Sequence, residues 1–492
     1  MKKFLGLIGI LLSALLFVPN AYAAGEKAKI GETAYATLEA AYAASQDGDT
    51  IVLLEDAELA ATLLVQKEIT IDLNGKNISR TSEVIQIDGG SLTLIGKGTI
   101  KETSPDVAGV RVIGGEDETD TEYSYLSVGK DVTIEAWAPV FIAPEKVGSS
   151  YRQFAYGIKV EVAGTLKSYL DTIGGTGSAI YISGNIKNTV NYPIVTVADG
   201  AVLDGNDTGV YQAGYSLLTI GKATITATGT GVGTKAGKVV LNGPSIKVTG
   251  PAAEPSAYNN GINTVGSAIQ IESSVGYAGN IEIEINGGTY ESANNSAIVE
   301  YLAPATGSTP ATTETEVKAI QINDGNFVAK EGEEVIVASN HFKETKKEFI
   351  AGGTYSKAVD EYLAEDVKMV EDENGNLVAG VLYNVTVKEA ANGKVVVDKT
   401  SGLKGTTVKV TATAAEGYTL KAISVVDANG KAVVVTAGAF VMPESDVVVT
   451  AEFVEIPKEN PETSDINYSS LITMLALGVA GLGYALKKRR FN

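Results

Sequence analysis

Cysteine is absent from the 492 residues, which excludes disulfides, zinc thiolates and thiol nucleophiles. The single histidine, His341, cannot build a multi-histidine metal site, and its neighbours Asn340, Lys343 and Glu344 mark it as a solvated loop residue. Before the final tail there are only three arginines, Arg80, Arg111 and Arg152. Acidic residues outnumber basic ones by 59 to 39, for a net charge of −20. Such a surface repels nucleic acid and anionic lipid, so functions that depend on a phosphate backbone are disfavoured. Tryptophan occurs once, as Trp137, against 22 tyrosines. Helical periodicity is nearly missing between 49 and 355.

The two ends have their own texture. Lys2 and Lys3 precede an apolar run over 4–18, and Ala21, Tyr22 and Ala23 supply a small-residue cleavage site. This pattern predicts a secretory signal peptide over 1–23, cut between Ala23 and Ala24. An uncleaved signal anchor is the second reading, although the run is short for a span. At the other end a polar hexapeptide, Asn460, Pro461, Glu462, Thr463, Ser464 and Asp465, is followed by an apolar stretch and then by Lys487, Lys488, Arg489 and Arg490. As a helix, 468–486 would rise about 28 Å, enough for a hydrocarbon core of about 30 Å. The four cations would hold the tail on the cytoplasmic side. Pro461 fixes its own φ and biases the chain toward an extended form that presents Thr463.

The hexapeptide resembles the sorting signal of Gram-positive surface proteins, Leu-Pro-x-Thr-Gly with a following acid. Pro461, Thr463 and Asp465 match, while Asn460 stands for Leu and Ser464 for Gly. The resemblance implies that a sortase attacks the Thr463 carbonyl and joins the chain to peptidoglycan, with 466–492 left as the transmembrane segment and basic tail. A plain membrane anchor is the alternative. Loss of both ends would remove six cations and one acid (Asp465), making the displayed part more acidic still.

About 440 displayed residues exceed what one compact core supports. Over 49–355 short β-branched runs alternate apolar and polar residues at period two, between Gly, Asn and Asp; examples are 50–54, 69–73 and 91–95. Ser-Ala-Ile recurs at 178, 267 and 296. A second phrase, an apolar residue, a glycine turn and an aromatic, ends at Tyr290, Phe327 and Tyr355. Spacings near 30 residues indicate a solenoid rather than a string of sandwiches, whose period would be about 80–100 residues. Leucine-rich and ankyrin repeats need helices that are missing here. The region 49–380 resembles the pectate-lyase-like right-handed parallel β-helices of bacterial surface proteins. The fold class expected is therefore all-β. A solenoid exposes edges at its ends, and Tyr35, Leu38 and Tyr42, spaced i, i+3 and i+7, predict a capping helix over 33–45 within the segment 24–48.

Beyond 361 the pattern changes. Asp372, Asn374 and Asn376 alternate like a calcium loop, but Leu377 stands where such a loop needs glycine and Tyr383 where it needs glutamate, so a hairpin turn is expected. Residues 381–455 hold short strands separated by Asn392-Gly393, Gly417 and 427–430. With Tyr418, Phe440, Met442, Pro443 and Phe453, they resemble the divergent InlB B-type bacterial repeat, a small β-grasp-like module. That resemblance implies a spacer or ligand-contact unit with no known catalytic residues. A stiff polar linker over 456–465 follows.

For function, three classes stand open: an adhesin or glycan binder, a carbohydrate-active β-helix enzyme (polysaccharide lyase or glycoside hydrolase), and a structural surface component. Asp171, Asp204 and Asp207 are the candidate carboxylates for a hydrolase pair, although Asp204 and Asp207 flank a Gly-Asn corner that Asp satisfies in turns. A lyase on uronates would need a calcium cluster and a basic residue. The acidic loop with Glu116, Asp117, Glu118, Asp120 and Glu122 would hold Ca²⁺ weakly at best, and like-charged loops are usually solvated. Tyr151, Tyr156, Tyr169, Tyr181 and Tyr192 punctuate one part of the solenoid. They would stack on sugars if they shared an exposed face; corner packing is their simpler role. The reading adopted is a non-enzymatic, wall-anchored extracellular protein without a required cofactor, with peptidoglycan and sortase as partners and a glycan or host-surface protein as possible ligand.

Overall fold

The computed structural model describes residues 25–104, 107–169, 177–253, 264–273, 277–302, 317–338 and 348–457. The expected cleavage residues Ala23 and Ala24, His341, Asp171, the sorting motif 460–465, and Lys487, Lys488, Arg489 and Arg490 lie outside the described residues. The chain divides between Leu382 and Tyr383 into two compact units.

The first unit is a parallel β-helix, as its alternating runs predict. One rung illustrates the plan: Ser91–Ile95, then Gly98–Glu102, then Ala108–Ile113, before the chain returns at Ser124–Val128. Each of these strands pairs in parallel with its counterpart one rung away, so three ladders run the length of the unit. The return connections from the third ladder to the first are tight at 66–67, 89–90 and 235–236 and long at 114–123, 144–157 and 183–193, where they carry insertions. Alternation then sends every second side chain inward. On the first ladder an unbroken column runs Ile51, Ile71, Leu94, Val128, Val162, Val197, Ile220, Leu241, Ile285 and Ile322 in register. Leu63, Ile85, Val110, Val140, Ile180, Val210, Val232, Ile269, Ile298 and Ile336 form the matching column on the third. All are buried, and each contributes roughly 1.5–3 kcal/mol by leaving water.

The repeated phrases fall one rung apart. Ser267 and Ser296 begin adjacent third-ladder turns, with Ile269 opposite Ile298. Between Ser178 and Ser267 lie Thr208 and Thr230, so the long interval is three rungs. Tyr290, Phe327 and Tyr355 stack inside the second ladder at 4.8 and 5.1 Å, with ring planes within 10°. Buried hydroxyls need partners: Tyr290 donates to the Gly287 carbonyl at 2.7 Å and Tyr355 to Gly352 at 2.9 Å. At the corner between first and second ladders Asn286 Nδ2 donates to Asn242 Oδ1 at 3.0 Å, and Asn323 Nδ2 to Asn286 Oδ1 at 2.6 Å.

Both ends of the first unit reverse strand direction. Ala28–Ile30 pairs antiparallel with Thr33–Tyr35 and with Asp49–Leu53. The helix is Leu38–Ala44, shorter than the periodicity predicts, because Tyr35 is held in the hairpin opposite Ala28 and Thr37 is the N-cap, its Oγ1 accepting from the Ala40 N–H at 3.1 Å. Leu38 and Ala41 are buried. The helix is fixed to the first rungs where the Tyr42 hydroxyl accepts from the Gln66 N–H at 2.8 Å and Lys67 Nζ donates to the Ser45 carbonyl at 2.7 Å. At the far end the hairpin Val367–Glu371 and Leu377–Val381 pairs antiparallel with Gly353–Tyr355. Asp372 Oδ1 closes its turn by accepting from the N–H groups of Asn374 and Asn376 at 2.9 and 2.8 Å.

The second unit consists of two small sheets. Tyr383–Val387 pairs in parallel with Val447–Glu455, which pairs antiparallel with Tyr418–Asp427. Gly393–Val397, Thr407–Ala414, Ala439–Val441 and Val435–Thr436 make the other sheet, in that order. Val385, Val408, Val410, Val425, Phe440, Met442, Val447 and Val449 form the core between them. Asn392 sits at φ 66°, and a side chain on Gly393 would enter the Phe453 ring, 2.4 Å away.

Candidate functional site

Two places on the β-helix bring chemistry together. The first is a groove of about 500 Å³ on the outer face of the first ladder, lined by Ser91, Thr121, Glu122, Ser124, Tyr125, Gly157, Ile158, Lys159, Asn191, Tyr192 and Ile194. Its floor is one outward column in register across four rungs, Ser91, Tyr125, Lys159 and Ile194. Strand spacing of about 4.8 Å makes that column roughly 14 Å long. Ile194 is 40 % exposed. The Tyr125 hydroxyl donates to Glu161 Oε2 at 2.8 Å, and Lys159 Nζ lies 2.7 Å from Glu161 Oε1 and 5.5 Å from the Tyr125 ring centroid. Burial, then the Glu161 contact, pushes the Tyr125 hydroxyl up. Tyr192 meets Tyr215 edge-on at 5.1 Å.

The groove wall is made by three insertions between the third and first ladders, and backbone bonds knit them. The Gly115 and Tyr156 backbones exchange hydrogen bonds at 2.9 and 3.0 Å. The Gly157 N–H donates to the Asn191 carbonyl at 3.2 Å, and the Asn191 side chain donates to the Glu118 carbonyl. Asn188 Oδ1 accepts from the Ala155 N–H at 2.9 Å, and its Nδ2 donates to the Val190 carbonyl at 3.1 Å. Gly157 is required in this wall: its φ is 67°, and a Cβ would sit 2.2 Å from the Asp120 carbonyl oxygen.

The second place is the outer face of the third ladder. An aromatic run, Phe141, Tyr181 and Tyr211, stands on it with centroids 4.8 Å apart at each step, and Trp137 lies 5.6 Å from Tyr181. Arg111 covers Phe141 at 4.6 Å and is paired with Glu83. Beyond Gly233 the face becomes a buried polar relay. Thr230 Oγ1 donates to Gln270 Oε1 at 2.7 Å, Gln270 Nε2 to the Tyr301 hydroxyl at 3.1 Å, and Tyr301 to Glu272 Oε2 at 2.7 Å. Lys235 Nζ lies 3.0 Å from Glu272 Oε1 and 3.3 Å from the Tyr277 hydroxyl, with both ion-pair side chains at most 2 % exposed. Burial lowers the Lys235 ammonium from its ordinary range, against the pull of Glu272. Burial pushes Tyr211 well up and Tyr181 to about 12. A desolvated lysine beside a carboxylate is the kind of group active sites employ. Here it is closed in, beside a space of about 10 Å³, roughly one water molecule.

The residues singled out from sequence scatter. Asp204 Oδ1 accepts from Thr226 Oγ1 at 3.3 Å, whereas Asp207 Oδ2 accepts from Thr208 Oγ1 at 2.9 Å and is pushed up by burial. Between them Asn206 adopts φ 51°, as a tight corner requires. Of the five tyrosines, Tyr181 joins the aromatic run and Tyr192 the groove. Tyr151 accepts from Arg111 at 3.2 Å, Tyr156 stacks on Phe154 at 5.7 Å, and Tyr169 donates to Glu102 Oε2 at 2.7 Å. They share no single face. In the acidic loop Asp117 accepts from the Thr119 N–H at 2.9 Å and hydroxyl at 2.8 Å, which hold its carboxyl below the usual range. Arg152 bridges Glu116 and Glu145. Among the described residues no group of three or more His, Asp or Glu converges as metal ligands. Nor is any described helix long and apolar enough to cross a membrane, and the segment 466–492 lies outside the described residues.

Sequence reasoning missed Tyr125 and the Lys235–Glu272 pair. The pair is one rung apart, and only its register on the third ladder signals the contact.

Residues 383–457 match the family model described as the Divergent InlB B-repeat domain. This bears out the resemblance read in Tyr418, Phe440, Met442 and Phe453. InlB-like repeat domains occur in bacterial surface proteins, in agreement with an extracellular setting. No curated protein matches the chain. No solved structure matches it either.

Proposed function

We propose that the chain is a non-enzymatic bacterial surface protein that presents its β-helix for adhesion through glycan binding, and that it is anchored to the cell wall through Thr463. The observation that carries the binding reading is the walled, open groove with Tyr125, Tyr192 and Ile194 on it, since aromatic side chains with a polar rim suit sugar faces and hydroxyls. The domain match at 383–457 supports the surface setting. Against a polysaccharide lyase or hydrolase stand the corner bonding of Asp204 and Asp207 and the engagement of Arg80 with the Glu83 carbonyl, Arg111 with Glu83 and Arg152 with Glu145. Anchoring rests on the order of motif, apolar stretch and cations in the sequence. The secreted chain should bind glycans on an array and release no reducing or unsaturated ends from polysaccharides; released ends would overturn the non-enzymatic reading. Thr463→Ala should move the protein from the wall fraction to the membrane fraction, and an unchanged wall fraction would defeat sortase anchoring.

A further inference from the structure

We propose that the groove over the first ladder takes an oligosaccharide carrying free amino groups, with Glu122 meeting the ammonium and Tyr125 and Tyr192 meeting the sugar faces. This rests on the glycan-binding reading and goes further by fixing the site and the charge of its ligand. The groove has the size of a ligand site, and its wall is bonded rung to rung, so little ordering remains to be done on binding. Its charges are unequal. Lys159 is paired with Glu161 at 2.7 Å and also feels the charge of Glu122 on the lining, so two carboxylates face one ammonium. A uronate would bring carboxylates against these acids, whereas an ammonium gains a charge-assisted hydrogen bond. The apolar floor at Ile194 and the two tyrosines supply contact with the C–H faces of the rings.

The test is calorimetric titration of the secreted chain with a glucosamine tetramer, an N-acetylglucosamine tetramer and a galacturonate tetramer. The glucosamine tetramer should bind best and lose affinity with added salt. Glu122→Gln, at an exposed position, should weaken it about tenfold or more, the worth of a hydrogen bond to a charged group, and should weaken it far more than it weakens the N-acetylated tetramer. Ile194→Lys, which places a second cation on the exposed floor, should weaken the glucosamine tetramer as well. Tighter galacturonate binding, or glucosamine binding indifferent to both variants, would overturn the inference and leave the glycan-binding reading standing if other glycans bind on an array. Binding to no glycan at all would remove both.

Discussion

The two units solve the same problem, burying β-branched side chains, by different means. In the β-helix each inward column repeats one kind of residue at one position of every rung, so Val140 rests on Ile180 and Ile180 on Val210. In the second unit Val385, Phe440 and Val449 come from strands far apart in the chain and close a single core. A rung answers chiefly to its neighbours; the small unit stands or falls as a whole.

Truncating one core aromatic in each unit should separate these behaviours. Phe440→Ala is expected to cost about 3–5 kcal/mol, a large part of the stability of a domain of this size, and should abolish amide protection across 383–457. Phe327→Ala removes the middle ring of the Tyr290–Phe327–Tyr355 stack at similar local cost, yet protection should fall near the stack and persist in the N-terminal rungs. Uniform loss across the solenoid in hydrogen exchange would contradict the contrast.

The buried ion pair gives the next effect. Lys235→Met or Glu272→Gln alone should cost about 3–5 kcal/mol, because one polar group is left buried with its partner gone. Lys235→Met combined with Glu272→Leu should recover much of it. Thermal midpoints of the three variants decide whether charge or packing holds that face.

Alkali should then divide the units. Burial raises Tyr181 to about 12 and pushes Tyr211, Tyr290 and Tyr355 upward, all in the β-helix. A raised folded value means stability that is complete below the unfolded tyrosine value of about 10 and lost as pH climbs through the folded one. From pH 10 upward the solenoid should therefore lose stability while the second unit, whose Tyr418 is pushed up chiefly by its bond to Glu455 rather than by burial, changes less. Exchange protection followed from pH 9 to 12 would show equal losses if the contrast is false.

Smaller effects sharpen the picture within the solenoid. Gly157→Ala should cost about 1–3 kcal/mol through its positive φ and its contact with Asp120, with loss of groove binding beyond the loss of stability. Lys101→Ala, in the surface pair with Glu135 at 3.2 Å, should cost below about 1 kcal/mol and vanish at high salt.

The solenoid was legible because its phrases are repeated: Ser-Ala-Ile and the glycine-aromatic turns mark rungs by themselves. The helix was legible through Leu38 and Tyr42 but began late, since Tyr35 obeys a strand partner that periodicity does not see. The groove was not readable. It needs three insertions of different length to pack side by side, and only Tyr192 of its two tyrosines stood out. Lys235 and Glu272 carry no local signature; their meeting is set by register, which fixes outward neighbours only once the ladder exists.

The strand reversals at the two ends have one more consequence. A second molecule approaching the first ladder end-on would meet the short strand Thr33–Tyr35, since Ala28–Ile30 is already paired on both sides, with Thr33–Tyr35 and with Asp49–Leu53. At the other end Leu377–Val381 lies between Gly353–Tyr355 and Val367–Glu371, so the outer strand of the hairpin is what stands at the edge. Each end of the winding is thus closed by the outer strand of a hairpin rather than by a full three-strand rung, a smaller template for pairing with the edge of another copy.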